Sequence, residues 1–222
     1  MTPSRIDRLP AHIDTLLLDL DGTLLDLAFD NHFWLQVVPE AFASRNGLSV
    51  QQAAADLAPL FAAVEHTLPW YCLDHWSRTL DMDLALLKTE HAWRAAWLPG
   101  AQAFLRRQRA AGRRLVLATN SHPQVLRIKD AQLRVTDHLD AAWSSHGFGA
   151  PKEDPQFWAG FRRAETFDPG RTAFLDDNLR VLEAAADAGV ACLVAVTAPD
   201  STRPDKDPPS RFDWVRAVAE IA

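Results

Sequence analysis

The run Thr15-Leu16-Leu17-Leu18, leading into Asp19-Leu20-Asp21-Gly22-Thr23-Leu24, constrains this chain more than any other stretch. Four apolar or β-branched residues in succession suit a strand buried on both faces. Two aspartates spaced i, i+2 close it, and carboxylates held close repel unless something positive lies between them. Mg²⁺, a hard cation that prefers oxygen ligands, relieves that repulsion. If the strand continues to Asp21, both side chains lie on one side. A turn starting at Asp19 instead aims one carboxylate and the next backbone carbonyl at the same point. Gly22 lets the chain leave sharply. Taken alone, the stretch also reads as a strand followed by an Asx-type turn, so the rest of the chain has to decide.

With 222 residues, the chain is long for one core and short for two, which fits one domain plus an insertion. A net charge of -6 argues against a nucleic-acid partner held on a general basic surface. No apolar run approaches membrane-spanning length, so no membrane partner is expected. Met1 to Pro10 lacks the apolar core of a signal peptide. Cys72 and Cys192, the only cysteines, stand far apart and without metal-site spacing. Both are expected to be reduced and buried, which points to the cytoplasm.

Residues 1–14 read as a lead-in, and the first strand covers 15–20. From Leu27 to Trp97 valine and isoleucine become scarce, and alanine, leucine and aromatics recur at helical spacing. Asp30 is expected to cap a helix burying Phe33, Trp34, Val37, Val38 and Phe42, kinked at Pro39 and ended by Asn46-Gly47. Ser49 and Gln52 make a capping box for a second helix toward Val64. Two more helices follow, over 70–80 and 84–97. From Leu98 helices and strands alternate. Helices are predicted from Pro99-Gly100 through Ala111 and over 123–134, 156–166 and 179–188, with strands over 114–119, 141–144, 172–175 and 191–196. Residues 198–210 read as a loop and 211–222 as a closing helix. The fold class is therefore α/β, a Rossmann-like parallel sheet formed by 1–26 and 98–222, with an all-helical insertion at 27–97.

Ligands of such sheets sit at the carboxyl ends of the strands, and those ends carry the polar residues. Asp19 and Asp21 end the first strand, Thr119-Asn120-Ser121 the second, and Asp176-Asp177 the fourth. Lys152 lies in the loop after the third. Alone, Lys152 is a surface lysine, Thr119 a strand-end cap and Asp176-Asp177 a helix N-terminus. Together they form a set with a chemical logic. A phosphomonoester dianion needs its charge offset, an in-line nucleophile, and a proton for the departing alkoxide. Mg²⁺ on the carboxylates and Lys152 supply positive charge. The Thr119 hydroxyl and the Asn120 backbone N–H can donate to phosphate. Asp19 can attack phosphorus to give an aspartyl phosphate, and Asp21 can protonate the leaving oxygen and then activate water.

Asp-Leu-Asp-Gly-Thr-Leu after an apolar strand resembles the first motif of the haloacid dehalogenase superfamily. Thr119, Lys152 and Asp176-Asp177 match its second, third and fourth motifs. The resemblance implies Asp19 as nucleophile, and Asp21 as general acid/base with its carbonyl on Mg²⁺. The metal set becomes Asp19, Asp21, Asp176 and Asp177, with Asp177 direct and Asp176 through water by comparison with mutase-type members. Dehalogenases of the superfamily lack a carboxylate at the Asp21 position, so the resemblance implies a phosphatase or phosphomutase. Glu153 stands where a proline often follows the motif-three lysine.

The insertion's place, between the first and second motifs, matches a C1-type helical cap that closes over the site and contacts the leaving group. Asn31, His32, Trp70, Tyr71 and His75 are candidate substrate contacts, aromatics to stack on a base and polar groups to read its edge; His66 is a further polar candidate. Asp19–Asn31, Trp70-Tyr71-Cys72-Leu73-Asp74, and Phe148-Gly149 leading into Pro151-Lys152-Glu153-Asp154 resemble the bacterial GMP/IMP nucleotidase subgroup. That resemblance implies a Mg²⁺-dependent 5′-nucleotidase for purine monophosphates. The rival readings are a sugar-phosphate phosphatase, a β-phosphoglucomutase-like phosphomutase, and a non-catalytic binding protein on the same scaffold.

Overall fold

A computed structural model describes residues 3–222, so the first two residues of the expected lead-in lie outside the described residues. Six strands, β1 (Thr15–Leu18), β2 (Arg114–Thr119), β3 (Ala141–Ser144), β4 (Thr172–Asp176), β5 (Cys192–Val196) and β6 (Asp213–Val215), form one sheet in the order β3-β2-β1-β4-β5-β6. Every neighbouring pair is parallel. β1 lies between β2 and β4, where the strand order reverses, so its carboxyl end opens at the crevice where such sheets bind ligands.

Alternate residues of the central strands face opposite layers. Leu16, Leu18, Leu115, Leu117, Ala173 and Leu175 enter one core. Leu17, Val116, Ala118 and Phe174 enter the other. Both faces are buried, which explains the unbroken apolar runs.

The helical insertion leaves after β1 and returns before β2. Its entry and exit run side by side: Leu25 bridges Trp97 in antiparallel fashion, Asp26 N–H donates to the Ala96 carbonyl at 2.9 Å, and Leu98 N–H to that of Leu24 at 2.9 Å. The insertion holds α1 (Ala28–His32), α2 (Val38–Asn46), α3 (Val50–Val64), α4 (Leu73–Leu80) and α5 (Leu84–Glu90). Phe33, Val37, Leu57, Leu73, Trp76, Leu80 and Leu84 make its own apolar cluster. The chain after the insertion forms α6 (Ala101–Ala110) and, past β2, α7 (Pro123–Leu133), whose Val125 joins that cluster and ties the two layers together.

The Ser49–Gln52 capping box forms as expected. Four expectations are corrected. Asp30 lies inside α1 rather than capping it, because Leu27 holds the cap position and Asp30 is drawn to two lysines. Between α1 and α2 the chain widens into a π-turn over Phe33–Val37. Pro39 in an α-helix would clash with the Leu35 carbonyl and offers no N–H to it, and the wider turn accommodates this. Residues 211–222 form β6 and a 3₁₀ turn (Val218–Glu220), not a helix. Trp214 there exchanges backbone hydrogen bonds with Ser4 and Ile6, and the Arg107 guanidinium takes the Ala219 and Ile221 carbonyls. These tertiary partners override the helical spacing of Val215, Val218 and Ile221. The cysteines are both free, but half-buried rather than buried.

Candidate active site

Asp19 follows β1, Thr119 ends β2, Asp176 ends β4, and Lys152 reaches in from the loop after β3. Lys152 Nζ sits 2.5 Å from Asp19 Oδ1 and 2.7 Å from Asp176 Oδ2. All three side chains are buried. Burial pushes the Asp19 carboxyl up, with Lys152 opposing it, and raises Asp176 well above the carboxylate range in the same way. Burial also works against the Lys152 charge, but Asp176 and Asp19 outweigh it and raise its pKa. The loop is pinned: Lys152 N–H donates to Asn120 Oδ1 at 2.8 Å, and Trp158 Nε1 to the Lys152 carbonyl at 2.8 Å. Thr119 Oγ1 accepts from Ser121 N–H, leaving its hydroxyl proton free to donate.

Carboxylate oxygens of Asp19, Asp176 and Asp177 lie within 4.8 Å of one another. Lys206 Nζ holds Asp177 Oδ2 at 2.6 Å. Three carboxylates therefore face two ammoniums, and the surplus negative charge on hard oxygens suits a divalent cation such as Mg²⁺. The Asp21 carboxylate is not in this group.

Gly22 sets how close Asp177 approaches. It has φ +94°, and a Cβ there would stand 2.8 Å from Asp177 Cγ and 2.9 Å from Pro199 Cβ. Gly22→Ala is expected to cost at least about 1–2 kcal/mol from the left-handed backbone alone, read as a lower urea midpoint. An unchanged midpoint would refute the backbone strain at this position as well as the close approach of Asp177 and Pro199.

Asp21 turns toward the insertion. Lys129 Nζ, from α7, lies 2.5 Å from Asp21 Oδ1 and 2.6 Å from Asp30 Oδ2, and Lys88 Nζ, from α5, lies 2.8 Å from Asp30 Oδ1. Lys88 also stands 4.1 Å from the centre of the Phe33 ring. Each lysine is only 1% exposed, a burial that lysine tolerates only with partners. Burial lifts the Asp21 carboxyl to about 6, with Lys129 pulling it down and Asp30 pushing it up. A carboxyl so placed can give and take a proton near neutrality.

Lys88, Lys129, Asp30 and Lys206 were not foreseen as site residues. One signal was available. Lys88 stands four residues after buried Leu84, and Lys129 four after buried Val125, so both occupy the inward stripe of their helices.

Above these groups lies a cavity of about 520 Å³, walled by Trp34, Phe61, Trp70, Tyr71 and Trp76 of the insertion, with Asn31 at its side. Tyr71 Oη donates to Glu153 at 2.6 Å, and Asn31 Nδ2 to Asp200 at 2.6 Å. Burial, then Glu153, raises the Tyr71 phenol so that it stays protonated. The structure does not bring His32 or His75 to this cavity. His32 is one residue, hence about 100° of helix, from Asn31; it bonds Gln36 and lines a separate surface pocket. His75 packs edge-on against Trp76. His66 sits beside Glu65, also away from the cavity.

A parallel sheet whose switch point gathers three aspartates, two of them on one buried lysine, defines a class of hydrolase. Residues 13–189 match the haloacid dehalogenase-like hydrolase family, and the chain belongs to it. Within that family it is 41% identical over 212 residues to the GMP/IMP nucleotidase YrfG of Escherichia coli (strain K12), covering 94% of this chain and 96% of that protein. Among solved structures, the fold matches a HAD phosphatase from Thermococcus onnurineus with TM-score 0.77 at 19% identity, over 94% of this chain and 95% of that one. It also matches the L-2-haloacid dehalogenase of Xanthobacter autotrophicus, with TM-score 0.62 at 15% identity, over 94% and 96%.

Proposed function

We propose that this chain is a cytoplasmic, Mg²⁺-dependent phosphatase that hydrolyses purine nucleoside 5′-monophosphates, GMP and IMP, through an aspartyl phosphate on Asp19. The observation that carries the reading is Lys152 Nζ set between Asp19 and Asp176 at the base of an aromatic-walled cavity. The identity to the Escherichia coli protein supports the purine. For the location, no helix is long and apolar enough to cross a membrane among the described residues.

Lys152 orients the Asp19 carboxylate and contributes positive charge for the phosphoryl group. Thr119 and the Asn120 N–H bind its oxygens. Asp21, steered by Lys129, protonates the departing ribose oxygen and afterwards takes a proton from the attacking water. When bound, Mg²⁺ offsets the charge between the carboxylates and the phosphate; Asp19, Asp176, Asp177 and the Asp21 carbonyl would hold it. Residues 27–97 act as a cap over the core of 1–26 and 98–222, with Trp70, Tyr71 and Asn31 beside the nucleoside.

A substrate panel tests this. GMP and IMP are expected to release phosphate with a kcat/KM at least ~10-fold above pyrimidine monophosphates and hexose phosphates, and EDTA should abolish turnover. A flat profile defeats the nucleotide assignment. Preference for a hexose phosphate favours the sugar-phosphate rivals, and no release from any ester favours the binding protein.

A further inference from the structure

We propose that Cys72, His122 and His146 form a binding site for a borderline-soft divalent cation of the zinc class, beside the cavity and bridging the helical insertion to the sheet. Their ligating atoms lie within 4.8 Å of one another. A tetrahedral zinc ion with bonds of ~2.0–2.3 Å sets its ligands ~3.4–3.7 Å apart, so closure takes about an ångström of side-chain rotation.

The three residues come from three segments. Cys72 caps α4 in the insertion, His122 precedes α7, and His146 follows β3. Softness separates this set from the all-oxygen group at the strand ends: one thiol and two imidazoles prefer zinc to Mg²⁺.

Four further observations point to a ligand. His146 Nε2 is buried and has no hydrogen-bond partner. The two imidazoles meet edge to face, 4.8 Å between centres, a contact that suits neutral rings, the form that binds metal. His75 N–H donates to Cys72 Sγ at 3.4 Å, a hydrogen bond that strengthens as the sulfur gains negative charge. Asp74 Oδ2 lies 3.6 Å from His122 Nε2, where a carboxylate orients an imidazole that ligates through its other nitrogen; that nitrogen, Nδ1, accepts only a long 3.4 Å hydrogen bond from Gln124 N–H, which the metal would replace. Binding would displace the Cys72 thiol proton to solvent.

Cobalt(II) titration of the full chain, reduced, metal-stripped and then saturated with Mg²⁺, tests the site. A thiolate-to-cobalt charge-transfer band is expected to saturate at one equivalent and to vanish on adding zinc. Cys192→Ser should keep the band and Cys72→Ser should lose it. His146→Ala and Asp74→Asn should each weaken cobalt binding at least ~10-fold. Zinc should also slow amide exchange across residues 68–80 of the wild type. No band at excess cobalt, or a band that survives Cys72→Ser, overturns the site, and unchanged exchange overturns the bridging.

Discussion

Asp19→Asn is expected to lower kcat on the best phosphomonoester by a factor on the order of 10⁴ or more, while the protein stays folded. The amide keeps the shape of the carboxylate but has no charge with which to attack phosphorus. The fold should tolerate it for a reason visible in the site. Asp19 ionises against the cost of burial, and it shares one ammonium with Asp176. A group whose folded pKa stands above its unfolded value destabilises the fold when charged. Neutralising it removes one of three crowded carboxylates and leaves Lys152 to Asp176. The metal-free variant should therefore melt no lower than the wild type. Added Mg²⁺ should raise the melting midpoint of the wild type more than that of the variant, which lacks one anionic ligand. Turnover within tenfold of wild type would remove Asp19 from the nucleophile's role. Lost turnover with a collapsed melting curve would make Asp19 a structural anchor instead.

The two halves of the site differ in how far their residues could be read in advance. Asp19, Asp176 and Thr119 stand where apolar runs stop, Lys152 lies in the loop after β3, and a parallel sheet brings such ends together whatever the helices do. β2 to β5 could be placed within a residue or two, since runs such as Leu115–Ala118 and Ala173–Leu175 are bounded by charged or hydroxyl residues. β1 itself stops at Leu18, earlier than expected, because Leu20 already accepts the turn hydrogen bonds of Leu24 and Leu25. The cap-facing half obeyed other rules. Asp30 looks like a helix cap by residue type, and only the positions of Lys88 and Lys129 in three dimensions make it an ion-pair hub. A lysine on an apolar helix stripe has no local cause. Its reason is a carboxylate 99 residues away in sequence for Lys129 and Asp30. The histidines failed in the opposite way, since composition offered them as readers of a base while helix rotation turned His32 outward.

Lys129→Met should be the most damaging substitution outside the motifs. Asp21, Asp30, Lys88 and Lys129 carry two negative and two positive charges in a chain whose lysines are buried and whose aspartates are half-buried. Methionine fits the aliphatic stem but leaves Asp21 with no cation in contact. Breaking one member out of a buried ion pair costs about 3–5 kcal/mol, against a typical total of about 5–15 kcal/mol. Chemical denaturation should show that loss. Asp30→Asn alone leaves Lys88 and Lys129 competing for fewer charges and should also destabilise. The double variant removes one charge of each sign, and Lys88 still feels the field of Asp21. Its cost should therefore fall below the sum of the single costs by about 0.5–3 kcal/mol. Strict additivity would mean that the four groups do not act as a unit. The catalytic reading makes a separate demand. With Lys129 gone nothing steers the Asp21 carboxylate, and a misplacement of about an ångström costs ~10²-fold in rate. That loss should appear in kcat more than in KM, because Asp21 is assigned to proton transfer and not to holding the phosphate. Asp30→Asn, which leaves the Lys129–Asp21 contact in place, should cost far less turnover than Lys129→Met at comparable loss of stability. Equal losses of turnover would tie catalysis to the integrity of the whole network and not to the hold of Lys129 on Asp21.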